Sequence, residues 1–314
     1  KKIKLFWLYK KLGLHYITKS DQKNWIRYQG PNCPGLIDFL KVNSINFKKV
    51  IFFTYLYYPT FAGIQIIKNN ILIPTAHDEP PFYFQSYRYV FNNAKFIMYN
   101  SWSEKRLVES VYPKTIKTPN AIAGVGFDDL DKESIEEKII DNNFPYIIYL
   151  GRIDKSKGCD ILLDYFDKYT RETKSDLKLI MVGKSFMELN SNYENVIFTG
   201  FVSNSEKYHY LLNCKALIIP SIYESLSLVT LEAMQHGKPV IANESCEVIK
   251  DHIEISQSGF LYNNYASFSN ILQNLEQLSS KEFSDISVRG KKYIEENYRW
   301  NKIIDKFIKA IDAS

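Results

Sequence analysis

One stretch constrains the chain more than any other: Ser221-Ile-Tyr-Glu-Ser-Leu-Ser-Leu-Val-Thr-Leu-Glu-Ala-Met-Gln-His-Gly-Lys-Pro239. Ahead of it, Ala-Leu-Ile-Ile-Pro (216–220) is a short apolar run that reads as a buried strand, and Val-Ile-Ala (240–242) behind it reads as the next one. Between them lie a short loop and a run of good helix formers that stops at His236-Gly-Lys-Pro239, where Gly and Pro punctuate the chain. Strand, helix and strand in such close succession make a βαβ unit, the building block of a parallel sheet in an α/β fold. The helix N-terminus of such a unit turns its backbone amides toward whatever sits above the sheet. Glu224 and Glu232 lie eight residues apart across that junction. An anion site flanked by carboxylates suited to hydroxyls describes a sugar attached to a diphosphate.

The same alternation runs through the chain. In the first part, 49–57, 71–75 and 96–100 read as buried strands, with helices around 38–41 and over 103–111, the latter begun by Ser103 with Glu104 nearby. The stretch 126–143 is dense in Asp, Glu and Lys and reads as a linker. After it come strands at 146–151, 177–182, 196–199, 216–219 and 240–242. Residues 159–173 form an amphipathic helix with Ile161, Leu162, Tyr165 and Phe166 on one side, and 298–311 form a closing helix with apolar Ile303, Ile304, Phe307, Ile308 and Ile311. The expected organisation is a first Rossmann-like domain over 1–126, a linker over 127–143, a second Rossmann-like domain over 144–297 and a helix over 298–314.

Arg152 and Lys157 stand five apart in the loop after the 146–151 strand, at the carboxyl edge where open α/β sheets bind ligands. Alone they are two solvated loop charges; beside the paired glutamates they are cations suited to a diphosphate, one a planar fork and the other a point charge. Four segments together carry a resemblance: the glutamate pair, Leu150-Gly-Arg-Ile-Asp-Lys-Ser-Lys-Gly158, Leu179-Ile-Met-Val-Gly183 with Val196-Ile-Phe-Thr-Gly-Phe-Val202, and Ile73-Pro-Thr-Ala-His-Asp-Glu-Pro80. Over roughly residues 25–310 the chain resembles the retaining, family-four glycosyltransferases of GT-B architecture, whose signature is E-x7-E.

That resemblance implies two Rossmann-like domains with parallel sheets, and a closing helix that crosses back onto the first. It implies that Glu224 contacts hydroxyls of the transferred sugar and Glu232 the nucleotide ribose. Gly151, Arg152 and Lys157 would face the donor diphosphate, and Ser225, Leu226, Ser227, Leu228 and Val229 would direct amides toward the phosphates. Lys184 would lie near phosphate, and Phe201 and Val202 near the base. His77 would orient the donor sugar or stabilise the leaving group, with Asp78 and Glu79 contacting the acceptor or only forming a turn. No in-line base is implied, because a front-face internal return is usually invoked for such enzymes. The chain departs from the pattern twice. Ser227 stands where relatives often carry Gly, and only 24 residues precede Trp25, so the glycine-rich acceptor-side loop is not in this sequence and the first domain is expected to be abbreviated.

Composition adds boundaries. A hydrophobic share of 45% with 24% charged suits a folded soluble protein, and 314 residues leave room for two domains. The 23 Tyr and 20 Phe concentrate in segments such as Phe52-Phe-Thr-Tyr-Leu-Tyr-Tyr58 and Pro81-Phe-Tyr-Phe84; they read as core packing or as an acceptor groove lined by rings. A net charge of +5 is too diffuse for nucleic-acid binding. Residues 1–11 alternate Lys with bulky apolar side chains, which suits an anionic membrane surface or packing on the domain. The longest apolar run, 50–58, is far short of a membrane span, and no cleavable leader is evident. Cys33, Cys159, Cys214 and Cys246 show no metal-binding spacing, and Asp129-Leu-Asp131 falls in the polar linker, so no metal or other cofactor is expected. His209, His236 and His252 read as bland.

The expectation is a cytoplasmic hexosyltransferase, either free or peripheral at the inner membrane face, that builds a surface polysaccharide or lipid-linked glycan. It would use GDP-mannose or a UDP-hexose and a glycan or lipid-linked acceptor. The alternatives are a donor-binding subunit that needs a partner chain to supply the missing N-terminal units, and a nucleotide-sugar 2-epimerase.

Overall fold

The computed structural model describes residues 18–127, 144–189 and 193–313. The chain divides into two compact units, 1–125 with 303–314, and 126–302. The segment 1–11 and nearly all of the expected linker lie outside the described residues.

In the first unit, strands β1 (Val50–Phe53), β2 (Asn70–Ile73), β3 (Phe96–Tyr99) and β4 (Asn120–Ile122) form a parallel sheet in the order β1-β2-β3-β4. Helices α1 (Lys19–Gln29) and α2 (Pro34–Asn43) precede it, and α3 (Tyr58–Gly63), α4 (Arg88–Asn93) and α5 (Trp102–Val111) connect its strands. Crossovers between parallel strands are right-handed, so a sheet that grows in one direction puts its connecting helices on one face. Side chains alternate accordingly. Leu72, Ile97 and Tyr99 pack with Phe61, Val90, Phe91 and Val108 of those helices, whereas Ile71, Ile73 and Met98 belong to the other face.

That second face is covered from the far end of the chain. Helix α12 (Trp300–Asp312) lays Phe307, Ala310 and Ile311 against Ile71, Ile73, Met98 and Ala123. Ile304 and Ile308, grouped with the apolar stripe in the sequence, are half exposed, while Ile303 and Ala310 are buried. Which of its apolar positions are buried depends on the surface the helix meets.

The aromatic cluster is a core. Tyr55 meets Phe82 and Tyr87 edge-on at 5.4 and 4.8 Å, and Phe91 stacks on Tyr112 at 4.2 Å. Phe53, Tyr57 and Tyr83 remain exposed. Strand β1 is shorter than its apolar run because Thr54 takes φ 62°, and β2 likewise ends before Thr75 at φ 51°. A β-branched residue rarely adopts that conformation, so the surrounding structure must hold both turns. Helix α5 is capped by Ser101, which accepts from Glu104 N–H, and not by Ser103.

The second unit is a sheet of β5 (Tyr146–Leu150), β6 (Lys178–Val182), β7 (Val196–Gly200), β8 (Ala216–Ile219), β9 (Val240–Asn243) and β10 (Gly259–Tyr262). Its order is β10-β9-β8-β5-β6-β7, all parallel. Its helices are α6 (Cys159–Thr173), α7 (Asn204–Asn213), α8 (Leu228–Gln235), α9 (Glu247–Ser256), α10 (Tyr265–Gln277) and α11 (Ser280–Asn297). The order reverses between β5 and β8, so crossovers of one hand place helices on both faces. Ile147, Tyr149, Ala216 and Ile218 pack with α6 and α10, while Ile148, Leu150, Leu217 and Ile219 pack with α8, α9 and α11. In α6 the buried stripe includes Cys159, Leu162, Leu163, Phe166 and Tyr169; Ile161, placed on that side from the sequence, is exposed. Phe127, at the edge of the expected linker, donates its amide to Tyr298 O at 2.7 Å and is part of this unit.

Candidate active site

A sheet whose order reverses opens a crevice at the carboxyl ends of its two central strands, because their loops turn to opposite faces. Here the loop after β5 carries Gly151, Arg152 and Lys157, and the loop after β8 carries Glu224 to Ser227. The two loops meet at Gly158. It has φ +74°, and a Cβ there would sit 2.8 Å from Pro220 O, so a side chain would force them apart. That approach brings Lys157 Nζ within 2.7 Å of Glu224 Oε1.

The first loop is pinned from several sides. Asp154 accepts from Ser156 N–H at 2.7 Å, and the hydrogen bonds of Ser156 hold its carboxyl below the usual range. Tyr149 Oη donates to Arg152 O at 2.7 Å. At Gly183, φ is +140° and a Cβ would lie 1.9 Å from Gly151 O, so only glycine lets the ends of β5 and β6 come this close. Arg152 and Lys184 both stand near the exposed ring of Phe186, at 5.8 and 5.5 Å from its centroid. Sequence reasoning misses Phe186; its one signal is an aromatic two positions after a strand-end Lys.

The second loop rests on a residue that reads as bland in the sequence. Buried His252 donates from Nε2 to Leu226 O at 3.0 Å, and its Nδ1 faces Tyr293 Oη at 2.9 Å. A carbonyl only accepts, so Nε2 carries the proton and Nδ1 takes the Tyr293 hydroxyl. Burial pushes this imidazole down to about 4, which keeps it neutral in that role. Next to Leu226, Ser227 adopts φ 58° at the start of α8, with its Oγ 2.9 Å from Thr230 Oγ1. The left-handed backbone explains why glycine suits this position, and the hydroxyl pair shows what serine adds. Ser225 to Val229 thus form the turn and first residues of α8, at its positive pole.

Glu232 lies farther along α8, and both of its carboxylate oxygens are 3.1 Å from Lys207 Nζ of α7. Val202 packs partly against the core, and Phe201 beside it is 91% exposed. Arg152, Lys157, Lys184, Glu224 and Glu232 are therefore all on the second unit, at or near the carboxyl edge of its sheet.

His77 belongs to the first unit, in the loop after β2. Its Nε2 is 3.5 Å from Glu79 Oε2, and Tyr55 Oη donates to Glu79 Oε1 at 2.7 Å. Burial opposes the charge on Glu79, but the hydrogen bond and charge of His77 and the Tyr55 hydroxyl outweigh it, so its carboxyl is held low. Asp78 accepts from Tyr83 Oη at 2.8 Å. Beneath the loop, fully buried Glu104 accepts from Ala76 N–H and from Asn100 N–H, each at 2.5 Å, tying the ends of β2 and β3 together. Its burial outweighs those bonds and pushes the carboxyl up to about 8.

Among the described residues, no group of His, Cys, Asp and Glu is arranged to hold a metal ion, and no helix is long and apolar enough to cross a membrane. All four cysteines are free, and burial pushes the Cys159 thiol up, away from reactivity. Asp129 and Asp131 lie outside the described residues.

The chain is similar to known proteins in sequence and in fold. The family model described as "Glycosyl transferases group 1" matches residues 131–311. An uncharacterized 41.2 kDa protein in the cps region of Klebsiella pneumoniae is 26% identical over 60% of this chain and 52% of its own length. Lipopolysaccharide 1,2-N-acetylglucosaminetransferase of Salmonella typhimurium is 23% identical over 69% of this chain and 61% of its own. The matches thus span between about half and three fifths of these curated relatives. Anabaena HepE, solved with UDP and glucose, superposes with a TM-score of 0.71 at 15% identity, over 92% of this chain and 83% of that one. The fold is GT-B, with two parallel α/β sheets, and the chain belongs to the glycosyl transferases group 1 family.

Proposed function

We propose that this chain transfers a hexose from a nucleoside diphosphate-sugar to a glycan or lipid-linked acceptor, with retention of configuration. The observation that carries the proposal is the Lys157–Glu224 contact of 2.7 Å at the crevice between β5 and β8. A lone ion pair would be ordinary, but this one joins two loops that glycine alone allows to meet, at the edge where such sheets bind ligands. The Salmonella relative supports the acceptor class, and the resemblance to retaining enzymes supports the stereochemistry.

In this reading Arg152 and Lys157 offset the charge that grows on the leaving diphosphate, which makes their contribution largest in the transition state. The positive pole of α8 and the amides of Ser225 to Val229 hold the phosphates. Glu224 accepts hydrogen bonds from sugar hydroxyls and keeps Lys157 aimed. Glu232 accepts from the ribose diol. Lys184 and Val202 border the phosphate and the base, and His77 contributes to donor-sugar orientation or leaving-group stabilisation.

The test is a thermal-shift panel of GDP, UDP, ADP, CMP and their sugar conjugates, run beside Glu232→Ala. A ligand at a hundredfold excess over its Kd adds about 2.7 kcal/mol, a rise of several degrees. One nucleotide raising the midpoint, with the rise lost in the variant, supports the donor site and names the base. No response to any of them overturns the reading. Donor binding without transfer until another chain is added identifies a binding subunit, and an epimerised donor without acceptor identifies a 2-epimerase.

A further inference from the structure

We propose that Lys207 is a positioning residue that presents the Glu232 carboxylate to the ribose diol of the donor, an inference that rests on the donor-site reading above. Its Nζ is 3.1 Å from both Glu232 oxygens, so one ammonium holds the carboxylate plane symmetrically. Each carboxylate oxygen has two lone-pair directions. One on each is used by Lys207; the one that remains on each points to the outer side of its own oxygen, where a ribose hydroxyl can donate to it. Without the ammonium, the carboxylate is free to rotate and its helix site carries an uncompensated charge.

Lys207 is itself held. It lies in α7, whose first turn is fixed by a capping box between Ser203 and Glu206. Its ammonium also sits 4.6 Å from the centroid of the Tyr208 ring, and Tyr208 meets His236 edge-on at 5.7 Å. The side chains of Lys207 and Glu232 are 23% and 18% exposed, so the pair is largely shielded but not sealed from solvent. A pair this sheltered keeps its geometry better than an exposed one.

The experiment measures affinity for UDP and GDP, and for their 2′,3′-dideoxy forms, in the full chain and in Lys207→Met, Lys207→Arg and Glu232→Gln. Lys207→Met is expected to weaken the better-bound ribonucleotide about tenfold, as loss of an oriented charge-assisted contact does, and to leave the dideoxy forms nearly unchanged. Lys207→Arg restores part of the loss. Donor KM rises with kcat little changed, the mark of an interaction made equally in ground and transition states. Equal weakening of ribo and dideoxy forms would show a purely structural ion pair, and tighter ribonucleotide binding in Lys207→Met would show that the lysine competes with ribose; either result overturns the proposal. If Glu232→Gln separates ribo from dideoxy forms and Lys207→Met does not, the proposal alone fails. If neither variant separates them, the ribose role of Glu232 fails with it.

Discussion

The two units are both parallel α/β sheets, but their strand orders differ. The first runs β1-β2-β3-β4 without reversal, and the second reverses between β5 and β8. With one crossover hand, the unreversed sheet keeps its connecting helices on one face and needs α12, from the end of the chain, for the other. The reversed sheet covers both faces with its own helices and opens a crevice as a consequence. The candidate donor residues gather at that crevice, while the first unit offers the strand-end loop of His77. Strand order, and not composition, decides which unit has such a crevice.

The largest effect should separate the units directly. Arg152→Ala and Lys157→Ala are each expected to lower kcat by about 2–4 kcal/mol of transition-state stabilisation and to weaken nucleotide binding less. His77→Asn should lower turnover while leaving the affinity for a free nucleoside diphosphate unchanged. Steady-state kinetics with calorimetric binding checks both, and a loss of nucleotide affinity in His77→Asn would break the comparison.

The units should also respond to pH in opposite senses. His252, in the second unit, is pushed down to about 4, so between its unfolded value of 6.5 and 4 the unfolded chain binds a proton that the folded chain does not. Stability of this unit is therefore lost as pH falls through that window, by roughly 3 kcal/mol at the limit. Glu104, in the first unit, is pushed from 4.5 up to about 8, so its contribution is present below 4.5 and is lost as pH rises from there through the folded value. Hydrogen exchange at pH 5 and at pH 8.5 should loosen β8 and α9 in the first case and β2 and β3 in the second. His252→Gln should flatten the acid limb.

Smaller effects probe the crevice itself. Gly158→Val is expected to cost about 1–3 kcal/mol, because it strains a left-handed residue and drives the two loops apart. Ser227→Gly should change stability by less than about 1 kcal/mol, since relief at φ 58° is offset by the lost contact with Thr230 and added chain entropy. Urea midpoints measure both, and a large loss in Ser227→Gly would mean that the hydroxyl pair, and not the backbone, shapes the turn.

Much of the fold is legible in the sequence because it is set locally. The apolar runs of β5, β6, β8 and β9, the helix over 159–173 and the glutamate junction follow from burial, periodicity and Gly-Pro punctuation. Faces are read less well. Ile161, Ile304 and Ile308 fit an apolar stripe but stay exposed, since which part of a stripe is buried depends on the surface it meets.

By itself, then, the sequence determined the kind of elements, their order and the chemical types gathered near strand ends. Only the tertiary structure decided that Lys207 holds Glu232 across 25 residues, that His252 supports Leu226 across 26, and that α12 closes the first sheet from the end of the chain. Local patterns report how a segment hydrogen-bonds with itself and which residues avoid water. Partners distant along the chain are chosen by sheet order and packing, and no window of sequence contains that information.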